Sequence, residues 1–592
     1  MTMSIQNLHS FCKYLISYFF FLNGTMAQMK VGSYLFERIK ELGIKTVFGV
    51  PGDYELVLLD MILDAGVKWA GNANELIASY AADGYARVNG YGAFVTTFGP
   101  GELSAYCGMA GQYAEYVPVV HIVGYPSTKA MKEGAIMHHS LGDGNFRMYH
   151  EMVRNITVAS TILDDPATAT AEIDRVLKAM AYFNRPVYIG VPVDVGPQTI
   201  VSRNLETPLP TTLPPNPPEL EQSVVDKIVD LLSSRKHPII VVDGGAVRNG
   251  VIEESSELIK LLQIPYFVTG MSKGGISEAL GRFGGVYGGG ASVPGVKRYV
   301  EALDLVLFIG SYKSDFNTGE FTAQISPSVI VDLQRFTTNV LGTDYKLSMK
   351  YVLHRLVSVW QSGKNKLAVR GQIEWDPYPL DQVKASEKLT QDFLWAALGR
   401  YFKSGDYIIA ETGTSAYGIL ASNLKNIENV HMYNQTVYGS IGFATGAALG
   451  SFLAGKESNT IKRGILVTGE GSLQLTVQAF SDMLRYQLNV TVFVLNNAGY
   501  TIERLIHGME ASYNTIPEWD YSKICALFGP AFQNKYHRIE TPEQLLKLLS
   551  DPEFNAANCT QVVELILNRR DAPTSVIRGA EAVEKFNKGI PI

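Results

Sequence analysis

The segment from Gly464 to Glu503 carries the residues best suited to holding a charged ligand. An apolar, β-favouring run, GILVTG, ends in Gly469-Glu470-Gly471-Ser472. The amphipathic stretch LQLTVQAFSDMLRY predicts one helix. VTVFVLNN then predicts a strand ending at Asn496-Asn497, just before Ala498-Gly499-Tyr500. Strand, helix and strand make one βαβ unit with parallel strands, so Glu470 and Asn497 reach the same carboxyl edge. Open α/β sheets bind their ligands at that edge. A carboxylate and an amide oxygen are hard donors suited to Mg²⁺, which keeps waters and phosphate oxygens as further ligands. The N–H groups of Gly471 and Ser472, with the Ser472 hydroxyl, open a helix and can hold a phosphate. A plain βα turn can look like G-E-G-S. The Asn pair closing the next strand is what points to a ligand.

Two further places could do acid–base chemistry. His138-His139 is a pair whose ordinary titration range lies near neutrality. The GDGN that follows, Gly142 to Asn145, reads as a turn, so a polar loop is the plainer alternative. Glu75 opens a predicted helix, Leu76 to Val88, where a carboxylate can simply complement the helix dipole.

The elements that must position these residues alternate between strand and helix. Helical spacing covers Val31 to Leu42, Leu56 to Leu63 and Glu75 to Val88. Thr46 to Gly52, Gly92 to Phe98, Val119 to Val123 and Pro186 to Val191 read as buried strands. The second unit opens with a helix over Val224 to Leu232. Strands follow at Pro238 to Val242, Tyr266 to Thr269, Leu305 to Ile309 and Val329 to Asp332. The third unit has strands at Tyr407 to Glu411, Ile465 to Thr468, Val490 to Leu495 and Gln561 to Leu567. The fold class is therefore α/β, as three successive open, mainly parallel domains. Their expected spans are 29–206, 220–361 and 389–592. Thr207 to Pro218 has six prolines in twelve residues and reads as a stiff linker within 207–219. Residues 362–388 read as a second linker. Residues 1–28 read as an extension outside the fold. Their apolar run Tyr14 to Leu22 is too short for a bilayer, which needs about 20 residues.

Composition narrows the function further. Of 592 residues, 46% are hydrophobic and 18% charged, below the roughly 25% charged of average domains. That fits a large, well-buried and oligomeric globular protein and excludes a disordered chain. With 51 Lys plus Arg against 57 Asp plus Glu, no basic surface suggests nucleic acid. Cys12, Cys107, Cys525 and Cys559 lie far apart, which fits a reducing, cytoplasmic setting better than a disulfide framework or a zinc site. No membrane association is expected.

Several runs together carry a resemblance: VFGVPGDYEL, WAGNANELIASYAADGYARVNG, TTFGPGELSA, MHHSLGDGNF, SDFNTG, AETGTSA, YGSIGFATGA and NNAGYTIERLIHG. With G-E-G-S and the Asn pair separated by two dozen residues, the chain resembles the thiamine-diphosphate-dependent 2-oxo acid decarboxylases, above all their pyruvate-decarboxylating branch. The resemblance implies thiamine diphosphate and Mg²⁺ as cofactors. It names the three units as pyrimidine-binding, central and diphosphate-binding. The implied reaction is non-oxidative decarboxylation of pyruvate to acetaldehyde and CO₂ through a cofactor ylide and an enamine.

The resemblance also implies roles. Glu75 would share a proton with the cofactor's pyrimidine. Asp53, His138, His139 and Glu503 would handle protons, a task suited to groups that titrate near neutrality. Glu470, Asn497 and the Gly499 carbonyl would bind Mg²⁺. Thr412, Thr414, Gly439, Ser440, Ile441, Gly471, Ser472 and Ile502 would contact the cofactor. Phe316, Ala416, Tyr438 and Ile502 would wall the substrate pocket. The resemblance implies a homodimer with shared sites, assembling to a tetramer.

Three departures stand out. Glu470 replaces the usual Asp, Tyr438 replaces a Trp of some relatives, and Gly245 stands where some relatives carry cysteines. The middle unit lacks a G-x-G-x-x-G between strand and helix, so a retained FAD is not expected. Two alternative readings are a decarboxylase of larger aromatic or branched oxo acids and a non-catalytic, polymerising relative.

Overall fold

A computed structural model describes residues 28–367, 371–378, 386–579 and 588. The apolar run Tyr14 to Leu22 and part of the second expected linker lie outside the described residues. Gln28–Lys30 already pairs antiparallel with Thr199–Val201.

Three sheets follow one another along the chain. The first has six parallel strands in the order Lys68–Gly71, Thr46–Gly49, Gly92–Thr97, Val119–Tyr125, Val187–Pro192 and Ala159–Ile162. The third also has six parallel strands: His431–Tyr433, Asp406–Ala410, Arg463–Gly469, Val490–Asn496, Thr560–Ile566 and Asn534–Ile539. The central sheet is parallel from Phe283–Val286 to Ile330–Leu333. It then ends in two antiparallel strands, Thr338–Val340 and Thr343–Tyr345. The mainly parallel α/β reading is borne out. The interior strands are fully buried, which is why they read as continuous apolar runs rather than alternating ones.

One prediction needs correcting. The helix expected after G-E-G-S is two helices, Glu470–Thr476 and Ala479–Arg485, with a break at Val477-Gln478. The second helix turns Asp482 toward the first unit, where it accepts from Asn72 Nδ2 at 3.2 Å and Ala73 N at 3.3 Å.

The first and third units share one core within the chain. Helix Glu75–Asn89 lies against helix Phe443–Ser458, and small residues let the two backbones nearly touch. A side-chain carbon at Gly84 would fall 1.9 Å from the Ala447 carbonyl oxygen, and one at Gly450 would fall 1.7 Å from that of Ala81. No larger residue fits at either crossing point. The contact fixes the first unit's orientation relative to the third, and with it the position of Glu75, the one catalytic candidate on Glu75–Asn89. Among the described residues, no helix is long and apolar enough to cross a membrane.

Candidate functional site

The third sheet reverses its strand order between Asp406–Ala410 and Arg463–Gly469. Such a switch point opens a crevice beyond the carboxyl ends of the strands. A cavity of about 600 Å³ lies there. Each strand end contributes a loop: Thr412 to Thr414, Gln435 to Ile441, Gly469 to Ser472 and Asn497 to Glu503.

Glu470 is 3% exposed, and burial pushes its carboxyl up to about 7. Its Oε1 accepts from Gly499 N at 2.7 Å. Asn497 beside it is also buried. With the amide one way round, Asn497 Oδ1 lies 3.2 Å from Glu470 Oε1 and 2.7 Å from the Gly499 carbonyl oxygen. Turned over, its nitrogen donates to both and its oxygen accepts from Thr501 Oγ1. Two adjacent oxygens of an octahedral Mg²⁺ shell at 2.0–2.1 Å are about 2.9 Å apart. Glu470, Asn497 and the Gly499 carbonyl thus converge at one buried point, where turning the amide would offer an oxygen to a hard cation. The longer Glu470 arm reaches this position, so replacing Asp does not open the cluster.

The turn that presents the Gly499 carbonyl is held in left-handed backbone, with φ +57° at Ala498 and +131° at Gly499. A side-chain carbon at Gly499 would lie 2.2 Å from the Asn514 carbonyl oxygen, so glycine is required. The buried Arg504 guanidinium donates to the carbonyls of Asn497, Ala498 and Asn514 and braces the turn. Gly471 and Ser472 lie in the first turn of their helix, as the sequence suggests, and their N–H groups are among those a helix leaves unpaired.

Thr412, Thr414, Gly439, Ile441, Gly471, Ser472, Ile502 and Glu503 all line the cavity with Glu470, Asn497 and Gly499. So do Phe316, Ala416 and Tyr438. Phe316 packs edge-on against Tyr417 at 5.7 Å. Ser440 sits just behind: its N–H donates to Gln435 Oε1 at 2.7 Å, and its hydroxyl pairs with Tyr80.

The remaining candidates are elsewhere in the chain. Glu75, Asp53, His138 and His139 do not line that cavity. His138 Nε2 and Asp53 Oδ2 are 2.8 Å apart, at 55% and 53% side-chain exposure. The His138 and His139 rings are 4.8 Å apart, and Tyr54 stacks on His138 at 4.9 Å. His139 takes a left-handed backbone, φ +67°, which turns it back over Gly99. Glu75 is half-buried at the start of its helix, capped by the Asn74 side chain on Ile77 N. Glu503 stays with the third unit, apart from its proposed companions.

Glu411 had no role in the sequence reading. It lies at the end of its strand, fully buried, and accepts from Thr412 N at 2.9 Å and Ala444 N at 3.1 Å. One carboxylate thereby joins the Thr412 loop to the helix that follows Ile441. Burial pushes it up to about 8. An acidic residue closing an otherwise apolar strand was the available signal.

Comparison with known proteins places the site in context. Three domain profiles match in order. The thiamine pyrophosphate enzyme N-terminal TPP binding domain covers residues 29–144, the central domain 225–347 and the C-terminal TPP binding domain 413–554. The chain is 43% identical over 571 residues to a pyruvate decarboxylase of Candida glabrata, covering 95% of this chain and 99% of that one. Pyruvate decarboxylase isozyme 1 of Saccharomyces cerevisiae is 43% identical over 567 residues, with 95% and 100% coverage. A putative pyruvate decarboxylase of Schizosaccharomyces pombe is 42% identical over 566 residues, with 94% and 99% coverage.

Proposed function

Because the chain belongs to the thiamine pyrophosphate enzyme family, we propose that it is a thiamine-diphosphate- and Mg²⁺-dependent carboxy-lyase that converts pyruvate to acetaldehyde and CO₂. The observation that carries this reading is the convergence of Glu470, Asn497 and the Gly499 carbonyl in one cavity, beside the helix start at Gly471 and Ser472. A hard cation and a diphosphate need those two features side by side.

Bound thiamine diphosphate supplies a nucleophilic carbon that takes up the 2-oxo acid and accommodates the electron pair left by CO₂. The protein does the rest. Glu470, Asn497 and Gly499 hold the metal, and Thr412, Thr414, Gly471 and Ser472 hold the diphosphate end. Gly439 offers its carbonyl, Ser440 backs it, and Ile441 and Ile502 fill the space against the rings. Glu75 shares a proton with the pyrimidine nitrogen. Asp53, His138, His139 and Glu503 deliver a proton to the product carbon and remove one from the product hydroxyl. Asp53 bonded to His138 orients the imidazole for this task.

Two chains complete each site. The proton-handling residues and the cavity are separate within one chain, and exposed apolar side chains flank both. Leu56, Ile136 and Leu141 are 53%, 72% and 58% exposed around the first unit's cluster. Leu475, Ile506 and Tyr513 are 53%, 46% and 64% exposed in a hollow that adjoins the cavity through Ile441, Tyr500 and Glu503. A dimer that joins these surfaces buries them and brings Glu75 to its partner's cavity; pairs of dimers then form the tetramer. The chain works in the cytoplasm, where Cys107, Cys525 and Cys559 stay free, as they are here.

Phe316 and Tyr438 narrow the substrate end. The test is turnover by the purified chain with thiamine diphosphate and Mg²⁺ across a panel of 2-oxo acids. Pyruvate should show a higher kcat/KM than phenylpyruvate, because a pocket excludes a ring sterically far better than it discriminates methylenes. Preference for phenylpyruvate would overturn the pocket assignment, and no turnover of any oxo acid would favour the polymerising relative.

A further inference from the structure

The central sheet has a switch point of its own. Strand Pro238–Val242 pairs with Tyr266–Val268 on one side and with Leu305–Ile309 on the other, so a crevice opens beyond its carboxyl end. The chain fills that crevice itself. Gly245 N donates to the Gly310 carbonyl at 2.9 Å, and a side-chain carbon at Gly245 would lie 2.5 Å from that oxygen. The loop that follows Leu305–Ile309 therefore lies directly on the turn that follows Pro238–Val242. It then runs out of the central unit, where Asp315, Phe316, Gly319 and Glu320 line the cavity of the candidate site.

Asp243 sits at the centre of this contact and is buried. Its Oδ1 accepts from Gly244 N, from the Thr269 hydroxyl and from Asn317 Nδ2 at 2.9 Å. Its Oδ2 accepts from Tyr312 N at 2.8 Å and again from Asn317 Nδ2 at 3.1 Å. A carboxylate is tolerated in the interior when it is bonded in this way. Three of its five bonds go to the loop. Asn317, also buried, donates to the Tyr312 carbonyl at 2.7 Å and accepts from Met271 N at 3.1 Å. The orientation of its amide is fixed, because turning it would set its nitrogen against the Met271 N–H and its oxygen against Asp243. Phe316 precedes Asn317. Its N–H donates to Asp315 Oδ1 at 2.8 Å, inside the same turn, and its ring is 44% exposed with Tyr417 beside it.

We propose that Asp243 and Asn317 are positioning residues for substrate choice: together they pin the 312–318 loop in the central crevice and so set how far the Phe316 ring reaches into the cavity. The proposal rests on the reading of Phe316 as a wall of the substrate pocket. A wall excludes a larger substrate by its shape only while it does not yield. The Phe316 ring is exposed enough to move aside, and what holds its turn lies one residue away, in Asn317. Loss of either member of the pair leaves buried donors or acceptors unpaired on the loop, and moving outward to water relieves them. Asp243 does not line the cavity and acts through the loop alone.

The test uses the purified chain with thiamine diphosphate and Mg²⁺, and reads the ratio of kcat/KM for phenylpyruvate to that for pyruvate. Asn317→Ala removes the amide. Asp243→Asn keeps the shape but sets a new donor against the donors of the loop or of Thr269 and Gly244, whichever way it turns. Each should raise the ratio about tenfold, the low end of what pocket shape discriminates. Asn317→Ser, which keeps one donor, should raise it less and carries the test if the other two do not fold. Phe316→Ala should raise the ratio by itself. Adding Asn317→Ala to it should then change the ratio less than about twofold, because the wall that Asn317 holds is gone. Thr269→Val removes a bond to Asp243 that does not involve the loop. It should lower the melting temperature and leave the ratio alone, which separates positioning from stability. An unchanged ratio in the Asp243 and Asn317 variants, full additivity with Phe316→Ala, or an equal rise in Thr269→Val overturns the proposal. An unchanged ratio in Phe316→Ala would instead overturn the pocket-wall reading.

Discussion

The two halves of the proposed site are built in opposite ways. In the third unit, Glu470 and Asn497 are buried, the loops are tied by Glu411, and Arg504 braces the turn at Gly499. In the first unit, Asp53 and His138 are more than half exposed and are held mainly by each other and by Tyr54. The buried half is arranged within one chain, so it can bind a charged cofactor with little reorganisation. The exposed half has its chemistry arranged but not its environment. In the proposed dimer a second chain supplies the enclosure that strengthens its electrostatics. Binding and proton transfer are thus assigned to different units, and variants should separate them.

The largest effect should come from the first unit. Glu75→Gln keeps the shape of the side chain but cannot share a proton, so C2–H exchange of the bound cofactor should slow by roughly 10²–10⁴-fold. Cofactor affinity should change little, since the metal and diphosphate contacts lie in the other unit. A large loss of affinity in this variant would break the division.

The third unit should show the converse. Glu470→Ala should lose cofactor affinity by roughly 10–100-fold, on the scale of damaged metal sites, with activity partly recovered by excess Mg²⁺ and thiamine diphosphate. Isothermal titration reads this directly, and unchanged affinity would reduce G-E-G-S to a structural turn. Mixing the two variants under conditions that exchange subunits should restore activity. Each mixed dimer has one site with both lesions and one with neither. No recovery despite proven exchange would remove the two-chain geometry.

The same contrast governs what the sequence revealed. The third unit's strands are buried on both faces, so they read as apolar runs, and Glu470 and Asn497 interrupt those runs at their carboxyl ends. Location and chemistry were visible together. The split after Thr476 was not, because LQLTVQAFSDMLRY keeps helical spacing across the break and no Gly or Pro marks it. Short strands such as Lys68–Gly71 and Asn534–Ile539 were missed: edge strands are partly exposed and carry charges that mask the pattern. The His pair stood out by residue type, but Asp53 was legible only through the resemblance, since 85 residues separate it from His138 and only folding joins them. Glu411 left only the mark of an acidic residue closing an apolar strand; that it is buried and joins two loops does not follow from residue type or spacing.

The smallest expected effect tests the buried half in the absence of its ligands. Burial pushes Glu55, Glu102 and Glu470 up to about 7 and Glu411 to about 8, from an ordinary value of 4.5. Between those values the folded chain holds protons that the unfolded chain has released. Unfolding free energy therefore falls as pH rises through this window, the reverse of the usual carboxylate case. At 1.36 kcal/mol per unit, Glu470 alone would cost on the order of 3 kcal/mol by pH 8. A cation between Glu470, Asn497 and Gly499 relieves that cost by pairing the charge. Calorimetry should accordingly find the cofactor-free protein melting at a lower temperature at pH 8 than at pH 6. The gap should narrow when Mg²⁺ and thiamine diphosphate are added, and narrow also in Glu470→Gln, which has no charge to bury. If the cofactor-free protein melts identically at both values, Glu470 is not the strained carboxylate that its burial implies. The metal would then be bound by a site already at ease without it.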